Sequence, residues 1–194
     1  MNNHRLGEPA LAALIDDEHE LVLARASAAA ASWPDLPSHV HHYLHLLTVV
    51  GVHLYRGEAE RAWEKVEAAW PAMVAGNLLA LRVIALHLWS ARGRAAVATG
   101  RVNEAKQAIR SLQRLHGPAG GIAALLESGL TGRAPSGAAA DAFARAPLWA
   151  AAARWRAGGG LDALRGLGVR EPERFVWMLA PVAPSLPAGA ARAG

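Results

Sequence analysis

Five histidines, His39, His41, His42, His45 and His53, are the residues of this chain best suited by type and spacing to do chemistry. His41 and His45 are four apart and His42 and His45 three apart, so each pair shares a face if the segment is helical. Two imidazoles so placed can hold zinc. Yet no glutamate stands between them as in a metalloprotease helix, and no third ligand lies nearby in sequence. His39 and His53 enlarge the cluster without fixing a geometry. We therefore expect these histidines to hydrogen-bond or to line a groove, with adventitious metal binding as the alternative. The run Asp16–Asp17–Glu18, with Glu20, could offer paired carboxylates for proton transfer, but adjacent helical positions point apart, and a solvated face is the expectation. None of the serines sits in a Gly-x-Ser-x-Gly elbow. Gly117–Pro118–Ala119–Gly120–Gly121 lacks the preceding strand and following lysine of a phosphate loop. No catalytic set, cofactor or metal is expected.

The elements that must position these residues read as helices. Alanine supplies 45 of the 194 residues and has the highest helix propensity. A first helical pattern runs from Glu8 to Ser32, where Pro34 and Pro37 break it. The next, from about Ser38, carries Val40, Tyr43, Leu44, Leu47, Gly51, Leu54 and Tyr55 on one face and Leu46, Val49 and Val50 beside it. Apolar residues on more than one side predict a helix buried between neighbours. Gly57 ends it, and a one-sided helix follows with Ala62, Trp63, Val66, Ala69, Trp70 and Met73, as far as Pro71 and Gly76–Asn77. Leu78 to Thr99 reads as a second buried helix, apolar nearly all round at its start, and Val102 to Leu115 as a second one-sided helix closed by Gly117–Pro118.

Buried helix, glycine turn, amphipathic helix therefore occurs twice, with a period near 43 residues between Gly57 and Gly100. The offsets +5, +9 and +12 hold Ala62, Val66 and Ala69 after the first glycine and Ala105, Ile109 and Leu112 after the second. A small residue at +5 lets the outer helix approach its partner closely. Beyond Pro118 the pattern thins to a short helix from Ile122 to Leu130 and a loop from Gly132 to Gly137. A degenerate third hairpin follows, Ala138 to Ala146 and Leu148 to Ala157 divided by Pro147, then a Gly158–Gly159–Gly160 joint and a helix from Glu171 to Leu179. Trp63, Trp70 and Trp89 follow core spacing, whereas Trp149, Trp155 and Trp177 are freer.

The chain has no cysteine, hence no disulfide or thiolate chemistry. Met1 to Pro9 lacks the basic and apolar regions of a secretory signal, and no stretch reaches the roughly 18 apolar residues of a membrane span. A cytoplasmic location is expected. Residues 1–60 carry eight acids against three arginines, and residues 82–116 carry seven bases against Glu104 alone. That asymmetry could suit an acidic partner. Nucleic acid is not expected, because 18 arginines to 2 lysines beside so much alanine reads as coding bias, and no recognition-helix signature accompanies them.

At Leu54–Tyr55–Arg56–Gly57–Glu58, followed by Ala62, the chain resembles a tetratricopeptide-like hairpin. With His42–Tyr43, Trp70–Pro71, Leu79 to Arg82, Arg92 to Ala96, the ending Gly168–Val169–Arg170–Glu171–Pro172–Glu173–Arg174 and Leu179–Ala180–Pro181, it is similar to the C-terminal helical-repeat region of large multidomain bacterial serine/threonine protein kinases. The likeness covers most of residues 30–182, and the ending is its most specific part. It implies a regulatory or interaction segment. The kinase motifs themselves (Gly-rich loop, Val-Ala-Ile-Lys, His-Arg-Asp, Asp-Phe-Gly) are missing, so the chain should not phosphorylate anything.

The resulting expectation is an all-α protein, an α-solenoid of stacked antiparallel helical hairpins. Residues 1–32 would form an N-terminal helix, the outer helix of a partial repeat; 33–180 the hairpin-repeat domain; and 181–194 a disordered tail. Its function would be a non-catalytic protein-interaction or regulatory module, binding a protein or peptide partner or another domain of the same signalling system. His42, His45, Arg82 and Trp89 are the candidate groove residues, and residues 1–32 a possible self-association face. The alternative is a small-molecule or nucleotide sensor domain.

Overall fold

The Gly57 turn is built by two hydrogen bonds: the Gly57 amide donates to the Leu54 carbonyl and the Glu58 amide to the His53 carbonyl, at 3.0 and 2.8 Å. Gly100 repeats it through Val97 and, from Arg101, Ala96, again at 3.0 and 2.8 Å. Both glycines have φ near +75°, at 75° and 73°, where a Cβ would be strained. The computed structural model describes residues 8–31, 40–115, 117–135, 139, 141–143 and 146–184. Among them the secondary structure is helical throughout, and no helix is long and apolar enough to cross a membrane.

The same pair of bonds occurs at Asp17, with φ 59°, where the Asp17 amide reaches Leu14 and the Glu18 amide reaches Ala13. The helix expected over Glu8–Ser32 is therefore two, α1 (Glu8–Ile15) and α2 (His19–Ala31). No glycine marks this break. An aspartate tolerates the left-handed region better than most residues, and its carboxylate is held by partners far along the chain.

Helix α3 (Val40–Tyr55) is buried on several sides, with Tyr43, Leu46, Val50, Leu54 and Tyr55 all in the core. α4 (Ala59–Ala75) is one-sided: Ala62, Trp63, Val66 and Met73 face inward. It runs through Pro71, which together with Glu67 is exposed, so water can serve the carbonyl that the proline leaves without an amide. A 3₁₀ turn at Leu78–Ala80 then leads into α5 (Arg82–Ala98). The helix is largely buried, as expected, but the burial is deepest in its second half and not at its apolar start. Leu81 and Val83 at its start are 54% and 65% exposed, while every residue from Ser90 to Ala98 is buried. That half is made of small and basic residues, and small residues let helices approach closely. A Cβ on Gly93 would lie 2.4 Å from Leu126 Cδ1 and 3.1 Å from Ala108 Cβ.

α5 packs against α3, α4, α6 (Val102–Gln113) and α7 (Pro118–Thr131). At the +5 positions Ala62 and Ala105 are both fully buried, as the repeat requires. α7 is longer than the Ile122–Leu130 segment expected because Pro118 starts it at a first-turn position, where proline's missing amide costs nothing. Pro147 acts likewise. It opens α8 (Pro147–Arg156). Four of the nine residues of the segment expected to pair with α8, 138, 140, 144 and 145, lie outside the described residues. α9 (Asp162–Gly166) and α10 (Pro172–Leu179) are the last helices among the described residues. Pro181 to Ala183, expected to begin a disordered tail, are buried, and the Ala183 amide donates to the Gly129 carbonyl at 3.0 Å.

α2 lies along α3, burying Val22 and Ala26, and α10 returns to α3 from the far end of the sequence. There the Arg170 amide donates to the Ile15 carbonyl at 3.0 Å, Arg174 pairs with Asp17 at 3.4 Å, and the Phe175 ring meets Tyr55 edge-on at 6.4 Å. A purely one-dimensional stack makes no such contact between its ends. The Tyr55 hydroxyl donates to Asp17 Oδ1 at 2.8 Å. Burial and the Asp17 carboxylate push the phenol above its ordinary pKa. Burial works against the ionised Asp17, but hydrogen bonds from Tyr55 and His19 outweigh it and hold the carboxyl below its usual range. Tyr55→Phe keeps the ring and deletes this bond, and should cost about 1–2 kcal/mol in urea unfolding.

Candidate functional site

α3 and α4 enclose between them an open groove of about 350 Å³. His42 and His45, one turn apart on α3, line it with Leu46, and Lys65, Ala72 and Met73 line it from α4. Burial lowers the pKa of His45, and the charges of Lys65 and His42 lower it further, so its imidazole is neutral at pH 7; a hydrogen bond with the Ala26 backbone works the other way. The groove thus presents an apolar floor, an uncharged imidazole and one exposed ammonium.

The other two expected groove residues are elsewhere. Arg82, at the exposed start of α5, donates to the Leu115 carbonyl and clamps the α5–α6 hairpin. Trp89 packs edge-on against Trp70, with ring centroids 4.8 Å apart. Of the four, only His42 and His45 line this groove; Arg82 and Trp89 are on α5 and engage Leu115 and Trp70 instead. His53 is buried and hydrogen-bonds Glu58 at 2.7 Å, bracing the Gly57 turn. His39 lies outside the described residues. Among those described, no three histidine, aspartate or glutamate side chains form a group that could hold a metal ion.

The basic stretch is largely engaged inside the chain. Arg92 lies 4.2 Å from the centroid of Trp70 and 5.4 Å from that of Trp63, and it pairs with Glu67 at 2.8 Å. Arg101 stacks on Trp63 at 5.0 Å and grips both oxygens of Glu60, at 3.1 and 2.9 Å. The sequence placed Trp63 and Trp70 on the apolar stripe of α4 and Glu67 outside it; that Arg92 would meet all three was not legible there.

A second space, of about 210 Å³, lies behind α5. His87, Ser90 and Arg94, at successive turns on one face of α5, line it together with Leu47, Ile122 and Trp149. The Tyr43 hydroxyl is 3.0 Å from His87 Nδ1, and the two rings stack with an interplanar angle of 6°. Burial, then the nearby Arg94, lowers the pKa of His87.

Because His45 and His87 both take up protons less readily when folded than the ordinary value of 6.5, the unfolded chain binds more protons below that value. Their contribution to stability is therefore complete above about pH 6.5 and is lost as pH falls through their lowered folded values. The melting temperature should begin to drop between pH 6.5 and 5, well before the carboxylates titrate. His87→Leu should shrink that first step.

The chain matches no family model, no curated protein and no solved structure.

Proposed function

We propose that this chain is a non-catalytic recognition module of stacked, tetratricopeptide-like helical hairpins, which holds a peptide segment of a partner protein in the α3–α4 groove. The observation that carries the reading is the groove itself: an apolar channel between the two helices of one hairpin, with Lys65 at its lip and neutral His45 in its wall. An extended or helical peptide with aliphatic anchors and an acidic residue opposite Lys65 fits that chemistry. The likeness to segments behind bacterial kinase domains agrees with such a role. So does the use of the strongest titratable contacts for architecture, His53–Glu58 at a turn and Tyr55–Asp17 at the closure.

The test is selection from a random displayed peptide library. Peptides enriched on the wild type should share an acidic residue beside aliphatic ones. Ala72→Trp puts a large ring into the groove from an exposed position, and it should weaken them at least tenfold. Lys65→Glu should invert the preference for acid. Peptides that bind both variants as they bind the wild type would place recognition elsewhere and remove the proposal.

A further inference from the structure

We infer that the cavity behind α5 is a binding site for a small monocarboxylate with an apolar, ring-sized body, its carboxylate held by Arg94 and Ser90. This goes beyond the peptide groove and stands without it.

Two polar side chains in that cavity are left incomplete by the protein. Ser90 is 3% exposed, and its hydroxyl makes no hydrogen bond among the described residues. Buried hydroxyls are nearly always partnered. Arg94 is 8% exposed and holds a guanidinium with no carboxylate of the described residues beside it. Its Nη1 donates to the Met178 carbonyl at 3.0 Å and its Nε reaches the Ser90 carbonyl at 3.4 Å, while Nη2 bonds to no described residue. The group lies 5.7 Å from the Trp149 ring centroid. Burial lowers its pKa to about 10, so it remains cationic at neutral pH. The other buried arginines also leave nitrogens unpartnered among the described residues, but Arg92 has Glu67 at 2.8 Å, and Arg156 is directed at the hydroxyl and carbonyl of Ser128, at 2.7 to 3.2 Å.

Ser90 and Arg94 stand one helical turn apart, so a free hydroxyl and a free guanidinium edge address the same space. A carboxylate supplies what both lack, an anion with two acceptor oxygens. The charge count favours a single negative charge. His87, the other basic group in the wall, is uncharged at pH 7 and already engaged with Tyr43, so a phosphate dianion would be buried against one cation. The remaining wall is apolar and aromatic, with Leu47, Leu86, Ile122, Phe143 and Trp149. An apolar cavity of about 150 Å³ holds benzene. The 210 Å³ here leaves room for a ring and its carboxylate.

The experiment uses the intact chain, with benzoate, benzamide and inorganic phosphate as probes in calorimetric titration and thermal melts. Each variant is read against its own ligand-free melt. Benzoate should bind saturably at one site and raise the melting temperature. Benzamide, of the same shape but neutral, should bind at least tenfold more weakly, and phosphate should give no shift at equal concentration. Ser90→Ala should weaken benzoate about tenfold. Arg94→Met should abolish the shift, and Arg94→Lys, which keeps the charge without the fork, should not restore it fully. Equal binding of benzoate and benzamide, or no saturable binding of benzoate, would overturn the site even if the Arg94 variants fail to fold. Unchanged benzoate binding by Ser90→Ala together with Arg94→Met would do the same. Ala72→Trp should leave benzoate binding intact, which keeps this site separate from the peptide groove.

Discussion

Ala62→Asp is expected to lower the unfolding free energy by about 3 kcal/mol or more, enough to unfold much of a marginally stable domain. Ala62 has no solvent exposure and sits where α4 crosses onto α3 and α5. A carboxylate there would have neither water nor a cation, because the nearby cations Arg92 and Arg101 are already paired with Glu67 and Glu60. The neighbouring helix would have to move or the carboxylate would have to take up a proton, and either costs several kcal/mol. Ala105→Asp should behave alike, since Ala105 occupies the same offset after Gly100 and is equally buried. Ala68→Asp, on the exposed face of α4, should stay within about 0.5 kcal/mol of the wild type. Urea unfolding of the three variants checks the hairpin register directly. If Ala62→Asp melts like the wild type, the register is wrong.

Gly129→Ala and Gly120→Ala, both on α7, should move stability in opposite directions. Alanine is the better helix former by about 1 kcal/mol at either site. At Gly120 a new Cβ meets nothing within 4 Å, so that gain should appear nearly in full. At Gly129 the Cβ would stand 2.1 Å from the Pro181 carbonyl oxygen and 3.0 Å from Val97 Cγ1. The first of these is backbone and cannot rotate away. Relief requires the segment from Pro181 to Ala183 to lift off α7, breaking the bond from Ala183 to the Gly129 carbonyl and exposing Val182. The net effect expected is a loss of about 2 kcal/mol, with earlier proteolytic cleavage after Ala180. Equal stabilisation by both substitutions would mean that this segment is not docked on α7.

The outcome at Gly129 bears on how far a sequence can be read. The run Pro181–Val182–Ala183–Pro184 has the composition of a flexible tail, and its burial depends on a glycine more than 50 positions earlier that leaves space for it. No local pattern carries that information. The second half of α5 is a similar case. Ser90–Ala91–Arg92–Gly93–Arg94 carries no apolar stripe that would name its neighbours, yet α5 packs against four helices, and these small residues let them come close. Asp17 shows the converse: a helix break that no glycine or proline marks, stabilised by Tyr55, 38 positions away.

By itself the sequence determined the all-α class, the two glycine-turned hairpins, the buried Ala62 and Ala105, and the placing of His42 and His45 on one helix face. Each of these follows from periodicity or from a residue that alone can adopt a given backbone, and both act over a few positions. Only the tertiary structure decided the meeting of residues 15–17 with 170–174, the docking of the segment after α10, the separation of Arg82 and Trp89 from the histidine groove, and the cavity around Ser90 and Arg94. Those depend on which helix faces meet. Charge and hydrogen bonding decide there only after apolar burial has brought distant segments together, and a single strand of sequence carries no distance between them.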